Sequence, residues 1–248
     1  MMASERKPAK QRIDQLLVER GLVPSREKAK ALLIAGSVRV NGQRVDKPGQ
    51  TVPVDAGIEL MEKLKYVSRG GLKMEAALAH WCIYPTGYIC LDVGASTGGF
   101  TDCLLQNGAA RVYAFDVGSG QLDWSLRKDP RVVVREGINA RHLKPEDVGE
   151  LVDLIVCDVS FISVTMILPT LPAMLRQDGS MVILIKPQFE VGRDQVGKGG
   201  IVRDPVLHQQ VCDRVSAVVR QLGFETEIIA SPILGAEGNR EFLLYANH

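Results

Sequence analysis

A short apolar run that ends in an acid and a glycine-rich turn is the feature that most constrains the fold of this chain. Residues 89–100 read Ile-Cys-Leu-Asp-Val-Gly-Ala-Ser-Thr-Gly-Gly-Phe. The pattern predicts a strand that ends at Asp92, a tight turn, and a helix that begins near Phe100. Backbone N–H groups and a helix N-terminus would then meet at one strand end, which is where open α/β sheets bind ligands. The turn is therefore either a cofactor site or an ordinary strand-to-helix connection.

From Ser68 onward, strand patterns alternate with helical patterns, which is typical of an α/β fold with a largely parallel sheet and helices on both faces. The seven candidate strands are residues 89–92, 111–115, 132–135, 154–158, 181–186, 225–230 and 241–245. Asp116 follows the second strand, where a Rossmann-like fold presents a carboxylate to ribose hydroxyls. Asp204-Pro205 predicts the start of a helix that runs to about Gly223, since Asp is a preferred N-cap and Pro a preferred first residue.

The N-terminal part of the chain has a different pattern. Residues 12–20 and 25–35 carry apolar side chains at helical spacing, with Ser25 a candidate N-cap and Gly36 a candidate stop. Residues 38–45 then alternate around Asn-Gly, which predicts a hairpin. We therefore predict a small α+β domain at residues 10–62, a linker at 63–66 and the α/β domain at 67–248.

Charge and cysteine content limit the classes of function. Residues 1–66 hold 13 Lys and Arg against 8 Asp and Glu, a net charge of +5, and the remainder holds 17 against 21, a net charge of −4. A polyanion-binding module would carry such a basic surplus. The odd number of cysteines, 5, argues against a disulfide framework, so we expect a cytoplasmic protein. We expect a monomer without a membrane span, and without a metal because the histidines and cysteines lack metal-ligand spacing.

The glycine-rich turn resembles the Asp-x-Gly-x-x-x-Gly-Gly motif of S-adenosylmethionine-dependent methyltransferases. The resemblance implies S-adenosyl-L-methionine as the cofactor. The residues assigned to it are Asp92, Gly94, Ser96, Thr97, Gly98, Gly99, Phe100, Asp116, Val117, Asn139 and Asp158. Asn139 is assigned to the adenine end, and an ordinary turn residue is an equal alternative there. Phe100 and Val117 would also suit the core.

The N-terminal domain resembles the S4 RNA-binding domain. The motifs that carry the resemblance are Arg12-Ile13-Asp14, Gly21-Leu22, Ser25-Arg26, Gly36-x-Val38-x-Val40-Asn41-Gly42 and Lys47-Pro48. The match departs from the family at Asp55-Ala56-Gly57, where Gly-Asp is more common. RNA phosphates are the expected partners of Arg12, Arg26, Lys28, Lys30, Arg39 and Arg44, and of Lys198 and Arg203 in the loop 189–203. The alternative for the basic residues of the first domain is a solvated face. The loop 189–203 is either a glycine-rich connector or a mobile lid that contacts the substrate.

Four residues far apart in sequence complete the predicted site. Lys73 lies early in the first helix of the second domain, and the other three lie at strand ends: Asp158, Lys186 and Glu241. They resemble the Lys-Asp-Lys-Glu tetrad of the FtsJ/RrmJ class of ribose 2′-O-methyltransferases. Together with the S4-like domain, residues 10–246 resemble the TlyA family, whose members are often labelled hemolysins. The resemblance implies methylation of cytidine ribose in 16S or 23S rRNA, with rRNA or ribosomal subunits as the partner.

The chemistry of such a reaction suits these residue types. A ribose 2′-hydroxyl is a weak nucleophile, so a base must take its proton as it attacks the methyl group. We assign the base to Lys186, kept neutral by partial burial and by Lys73 as a second cation. Asp158 would orient the lysines and the hydroxyl, and Glu241 would hold Lys73 or the ribose. Any one of these residues alone could equally form a surface salt bridge.

Two other classes of function remain as alternatives. A noncatalytic RNA-binding or assembly factor could retain the cofactor for structure only. A membrane-active hemolysin would need an amphipathic or spanning element, and no segment combines enough apolar length with a basic face.

Overall fold

The computed structural model describes residues 9–34, 36–61, 65–235 and 238–248. The chain divides into two compact units, residues 1–64 and 65–248, and each is described by itself. Ala35, the predicted end of the second helix, lies outside the described residues. So do residues 62–64, which include the predicted end of the first domain and the start of the predicted linker.

The described part of the first unit contains two helices, a hairpin and short strands. In chain order these are β1 (Lys10–Arg12), α1 (Ile13–Glu19), α2 (Arg26–Ile34), β2 (Val38–Val40), β3 (Gln43–Arg44), β4 (Thr51–Pro53) and β5 (Ile58–Leu60). Strand β1 pairs with β4, and β2 pairs with β3 and β5, all antiparallel. Asn41 and Gly42 have φ of 50° and 78°, which the tight hairpin turn requires. The predicted helices and hairpin are confirmed.

The second unit is built on one seven-stranded sheet. Its helices and strands are α3 (Gly70–His80), β6 (Ile89–Val93), α4 (Gly99–Gln106), β7 (Arg111–Asp116), α5 (Trp124–Arg127), β8 (Val132–Glu136), α6 (Pro145–Val148), β9 (Val152–Cys157), β10 (Leu175–Ile185), α7 (Pro187–Glu190), α8 (Pro205–Gln221), β11 (Glu225–Ala230) and β12 (Phe242–Asn247). The strand order is β11-β12-β10-β9-β6-β7-β8. The predicted α/β fold class is confirmed.

The direction of the strands brings distant residues to one edge of the sheet. Strands β8, β7, β6, β9 and β10 run parallel, so their carboxyl ends share that edge. Strand β12 runs antiparallel to β10, with Phe242 opposite Ile185. The residue that precedes β12, Glu241, therefore reaches the same edge as Lys186, which follows β10. This antiparallel strand is why a residue at a strand start can join residues at strand ends.

The core lies on both faces of the sheet because the central strands are buried and alternate their side chains. Leu91 of β6 joins one apolar cluster that includes Val215 of α8. Its neighbour Cys90 joins a second cluster that includes Met74 of α3 and Leu104 of α4. The helices thus cover both faces, as a mostly parallel sheet requires.

All seven predicted strands are present, but their predicted ends were wrong at five site residues. Strand β6 continues past Asp92 to Val93, and β7 includes Asp116. Asp158, Lys186 and Glu241 lie just outside their strands, since β9 ends at Cys157, β10 ends at Ile185 and β12 begins at Phe242. The parallel ladder of β9 and β10 has ended at Asp158 and Lys186, and Glu241 lies before the antiparallel pairs of β12, so the three side chains stand at the edge of the sheet. The predicted cap of α8 is confirmed, because Asp204 Oδ1 accepts the N–H of Val206 at 2.8 Å.

Candidate active site

The glycine-rich turn folds over a fully buried carboxyl group, Asp92. Its Oδ2 accepts hydrogen bonds from the N–H and the Oγ of Thr101 in α4, at 3.0 and 2.6 Å. Its Oδ1 has no hydrogen-bond partner among the described residues. Burial raises the pKa of Asp92 to about 7, against the opposing effect of Thr101 and with smaller contributions from Asp158 and Asp116. Burial thus favours the protonated form of this carboxyl group relative to an exposed aspartate.

Two glycines of the turn serve different purposes. Gly94 has a φ of 86°, and a Cβ there would lie 2.6 Å from the carbonyl oxygen of Asp158. Gly98 has a φ of 97°, and a Cβ there would lie 2.3 Å from Cδ1 of Leu126. Gly94 thus lets the turn approach the loop after β9, whereas Gly98 allows close packing against α5.

A cavity of about 840 Å³ opens beside the ends of the parallel strands. The predicted cofactor residues that line it are Gly94, Ser96, Asp116, Val117, Asn139 and Asp158. Two backbone groups fix the carboxylate of Asp116: the N–H of Ser96 donates to Oδ2 at 2.8 Å, and the N–H of Gly118 donates to Oδ1 at 2.7 Å. Asn139 Oδ1 accepts the N–H of Arg141 at 3.1 Å, so this residue caps a helical turn and also faces the cavity.

A smaller cavity of about 140 Å³ lies under the glycine-rich turn. The predicted residues that line it are Lys73, Asp92, Gly94, Ser96, Thr97, Gly99, Phe100 and Asp158. Gly94, Ser96 and Asp158 also line the larger cavity, so the two spaces adjoin. Gly98 lines neither cavity, because it faces the core behind the turn.

The four predicted catalytic residues form two ion pairs. Lys73 Nζ lies 2.5 Å from Glu241 Oε2, and both side chains are almost fully buried. Lys186 Nζ lies 2.5 Å from Asp158 Oδ1 and donates a hydrogen bond to Ser160 Oγ at 2.7 Å. Lys73 and Asp158 share the smaller cavity, while Lys186 and Glu241 line neither space. The fold thus brings the predicted tetrad to one edge of the sheet as two adjacent charge pairs.

An aromatic pair at the larger cavity was not predicted from the sequence. Phe161 is 91% exposed and has a φ of 65°, which is unusual for a bulky residue. Its ring packs against that of Phe189 in α7, with the centroids 5.2 Å apart, and both residues line the cavity. An aromatic residue three positions after the acid at a strand end was the only signal, and it did not distinguish this pair from a core contact.

The predicted RNA-binding side chains of the first unit are exposed, but two of them are already paired. Arg12 donates two hydrogen bonds to Asp14, and Arg26 donates a third, each at 3.0 Å. Asp14 is fully buried, and its hydrogen bonds to Arg12 help to hold its pKa at about 2. No ion pair with a described residue is found for the other four side chains, Lys28, Lys30, Arg39 and Arg44.

The loop 189–203 is fixed to its own unit by two polar side chains. The N–H of Val202 donates to Asn239 Oδ1 at 3.0 Å, and Asn239 Nδ2 donates to the carbonyl of Gly200 at 2.9 Å. The buried His208 lies 2.9 Å from the carbonyl of Val202 through Nε2. The predicted RNA-binding residues of this loop, Lys198 and Arg203, are exposed.

Residues 9–34, 36–61, 65–235 and 238–248 contain neither a metal-binding cluster nor a membrane-spanning helix. No group of three or more His, Cys, Asp and Glu side chains there could hold a metal ion. No helix in those ranges is long and apolar enough to cross a membrane.

Comparisons with known proteins cover both units. The sequence model of the FtsJ-like methyltransferase family matches residues 66–248, and that of the S4 domain matches residues 11–58. The 16S/23S rRNA (cytidine-2′-O)-methyltransferase TlyA of Mycobacterium tuberculosis is 47% identical over 237 residues, which are 94% of this chain and 88% of that protein. Hemolysin A of Brachyspira hyodysenteriae is 44% identical over 236 residues, which are 94% of this chain and 98% of that protein.

A solved structure also matches nearly the whole chain. It comes from Streptococcus thermophilus and carries the name hemolysin. It has a TM-score of 0.74 and 46% sequence identity, and covers 97% of this chain and 89% of that chain.

Proposed function

This chain belongs to the FtsJ-like methyltransferase family, in its TlyA branch, and we propose that it transfers a methyl group from S-adenosyl-L-methionine to the 2′-hydroxyl of a cytidine ribose in 16S or 23S rRNA. The observation that carries the proposal is the position of the two ion pairs. Lys73–Glu241 and Lys186–Asp158 stand at the same edge of the sheet as the glycine-rich turn and its cavities. A cofactor, a base and an acceptor hydroxyl would meet at that edge.

The residues around the two cavities fit S-adenosyl-L-methionine. Asp116 offers a carboxylate, fixed by two backbone donors, to the ribose hydroxyls, and Asn139 offers a polar group to the adenine end. The smaller cavity offers Lys73, Asp92 and Asp158 to the charged amino-acid end. When bound, the cofactor supplies the electrophilic methyl group.

The chain's own residues would then handle the acceptor hydroxyl. The Lys186 ammonium, paired with Asp158, first releases a proton to water, and the neutral amine then takes the proton of the ribose 2′-hydroxyl as the oxygen attacks. Asp158 and Ser160 hold the lysine amine in place through the contacts of 2.5 and 2.7 Å. The buried pair Lys73–Glu241 fixes the adjacent wall of the smaller cavity. The remaining rate enhancement comes from alignment of the reactants, without a covalent intermediate.

The exposed ring of Phe161 suits the base of the acceptor nucleotide. A nucleobase whose ribose reaches the edge of the sheet must unstack from its neighbours in the RNA. An exposed aromatic ring can replace part of that stacking. Phe161 and Phe189 line the larger cavity next to Asp158. We therefore assign this end of the cavity to the acceptor nucleoside and the Asp116 end to the cofactor.

In this proposal the first unit supplies most of the affinity for RNA. It matches the S4 domain, and its exposed Lys28, Lys30, Arg39 and Arg44 offer cations to phosphates. In the second unit, the exposed Lys198 and Arg203 offer two further cations to phosphates. We propose rRNA within ribosomal subunits as the partner, and with it a cytoplasmic protein.

Methyl transfer to isolated ribosomal subunits tests the proposal. The purified chain is incubated with labelled S-adenosyl-L-methionine and with small or large subunits from cells that lack the chain. Mass spectrometry of the rRNA then locates the methyl group, which should lie on a cytidine ribose. Binding to subunits without transfer would instead support a noncatalytic assembly factor. Lysis of erythrocytes at the same protein concentration, with no transfer, would support the hemolysin alternative.

A further inference from the structure

Two short segments that carry the predicted chemistry are joined along their whole length. The first is the loop after β9, residues 158–164, and the second is residues 186–190, which end with α7. Lys186 pairs with Asp158 at one end, and the rings of Phe161 and Phe189 pack in the middle. Glu190 joins the other end. The charged and aromatic contacts thus depend on the same alignment of the two segments.

Glu190 makes the last of these connections with both of its carboxylate oxygens. Oε2 accepts a hydrogen bond from Ser163 Oγ at 2.6 Å, and Oε1 accepts one from the N–H of Val164 at 2.7 Å. The carboxylate is buried, and the guanidinium of Arg214 in α8 lies 3.6 Å from Oε2. The same guanidinium donates to the carbonyl of Glu190. A buried carboxylate that accepts this many hydrogen bonds holds the segments that donate them in one position.

The backbone conformation of Phe161 shows why the loop 158–164 needs such contacts. Its φ of 65° is strained for a bulky residue and persists only when neighbouring contacts hold it. With 91% of the residue exposed, burial supplies little of that restraint. Two and three residues after Phe161 come Ser163 and Val164, which Glu190 contacts, and before it lie Asp158 and Ser160, which Lys186 contacts.

We propose that Glu190 is a positioning residue for methyl transfer, which holds the loop 158–164 so that Asp158 and Phe161 face the acceptor nucleoside in register with Lys186. The inference rests on the proposed function. Glu190 lines neither cavity, so it acts through the loop and not on the substrate. Its loss would misplace Asp158 and the ring of Phe161 relative to Lys186, and a displacement of about 1 Å can lower a rate by up to about 100-fold.

The test compares three variants of the full chain with a matched control. Glu190→Ala removes both hydrogen bonds, and Ser163→Ala removes one. Glu190→Gln keeps an acceptor for the N–H of Val164 and can donate to Ser163. The control is Glu150→Ala, because Glu150 Oε1 also accepts two hydrogen bonds, from Tyr113 at 2.6 Å and Arg111 at 2.7 Å, but next to the amino ends of β7 and β9. Melting temperatures establish that each variant is folded at the assay temperature.

The measurement is the single-turnover rate of methyl transfer to ribosomal subunits at saturating S-adenosyl-L-methionine. We expect Glu190→Ala to lower this rate about 10- to 100-fold, Ser163→Ala to lower it less, and Glu190→Gln to restore most of it. Glu150→Ala should lower the melting temperature and leave the rate unchanged. A wild-type rate in Glu190→Ala, an equal loss in Glu190→Gln, or an equal loss in Glu150→Ala would overturn the inference. Failure of the wild-type chain to transfer any methyl group would overturn the proposed function, and the inference with it.

Discussion

Lys186 and Asp158 form an ion pair across the ends of two neighbouring parallel strands, with Nζ 2.5 Å from Oδ1. The two side chains are only 12% and 21% exposed, so water screens their interaction poorly. Strands β9 and β10 pair in parallel, and both residues lie past the last paired residues, Cys157 and Ile183. Their side chains can therefore turn toward each other at the end of the sheet. This pair gives the candidate base a defined position beside the cavities.

Replacement of Lys186 by Met tests the assignment of the base. The variant keeps much of the side-chain volume but has no amine, so methyl transfer should fall by about 10²- to 10⁴-fold while cofactor and RNA affinities stay near those of the wild type. Rates from labelled methyl transfer and affinities from calorimetry check this. Lys128→Met is the control, because Lys128 lies over the exposed ring of Trp124 and lines neither cavity.

The product of the wild-type reaction gives an independent check on the same mechanism. A ribose methylated at its 2′-oxygen cannot attack the adjacent phosphate, so the rRNA should resist alkaline hydrolysis on the 3′ side of the modified nucleotide. A methylated base with a free 2′-hydroxyl would refute the 2′-O assignment.

Loss of the Asp116 carboxylate should weaken cofactor binding. A hydrogen bond to a charged group contributes about 1.5–3 kcal/mol, so we expect Asp116→Ala to raise the Kd for S-adenosyl-L-methionine by about 10- to 150-fold with the fold intact. Calorimetry measures the change. Asp129→Ala is the control, since Asp129 pairs with Arg131 in the turn before β8 and lines neither cavity. Unchanged affinity in Asp116→Ala would remove the residue from the site.

The four exposed cations of the first unit should control the salt dependence of RNA binding. If Lys28, Lys30, Arg39 and Arg44 contact phosphates, replacing all four with Ala should reduce the slope of log K against log salt by up to about 0.9 for each lost contact. Arg12 and Arg26 are already paired with Asp14, so their loss should change the slope less. Binding to ribosomal subunits is measured at several salt concentrations. Lys144→Ala is the control, because Lys144 is an exposed lysine of the second unit, just before α6, and lines neither cavity. An unaltered slope in the quadruple variant would contradict RNA binding by this face.

The raised pKa of Asp92 predicts how stability depends on pH. Between its ordinary value of 3.8 and its value in the folded protein of about 7, the folded state holds a proton that the unfolded chain releases. The free energy of unfolding should therefore fall as pH rises through this range, by up to about 1.4 kcal/mol per pH unit. Asp92→Asn should lack this contribution, which urea unfolding at pH 5, 6, 7 and 8 measures.

Asp129→Asn serves as the control for that experiment. Its hydrogen bonds with Arg131 lower the pKa of Asp129, so the stability that it contributes is lost only as the pH falls below the range used. Its slope between pH 5 and 8 should match that of the wild type. Equal slopes in Asp92→Asn and the wild type would show that Asp92 does not hold a proton in the folded protein.

Local patterns in the sequence determined most of the secondary structure. The apolar run before the glycine-rich turn, the Asn41-Gly42 hairpin and the Asp204-Pro205 helix start depend on backbone preferences of neighbouring residues, and all three were predicted. The carboxyl ends of parallel strands also share one edge by topology alone. The sequence therefore sufficed to bring Asp158 and Lys186 to the site.

Only the tertiary structure decided which side chains meet and what surrounds them. Pairing of Lys73 with Glu241 depends on the antiparallel direction of β12, and the pKa of Asp92 depends on complete burial under the turn. Contacts formed on folding likewise produce the pairing of Arg12 with Asp14, the exposed ring of Phe161 and the hydrogen bonds of Glu190 to the loop 158–164. Residue type and spacing set local conformation, whereas burial, electrostatic environment and contacts between distant side chains depend on how the segments pack.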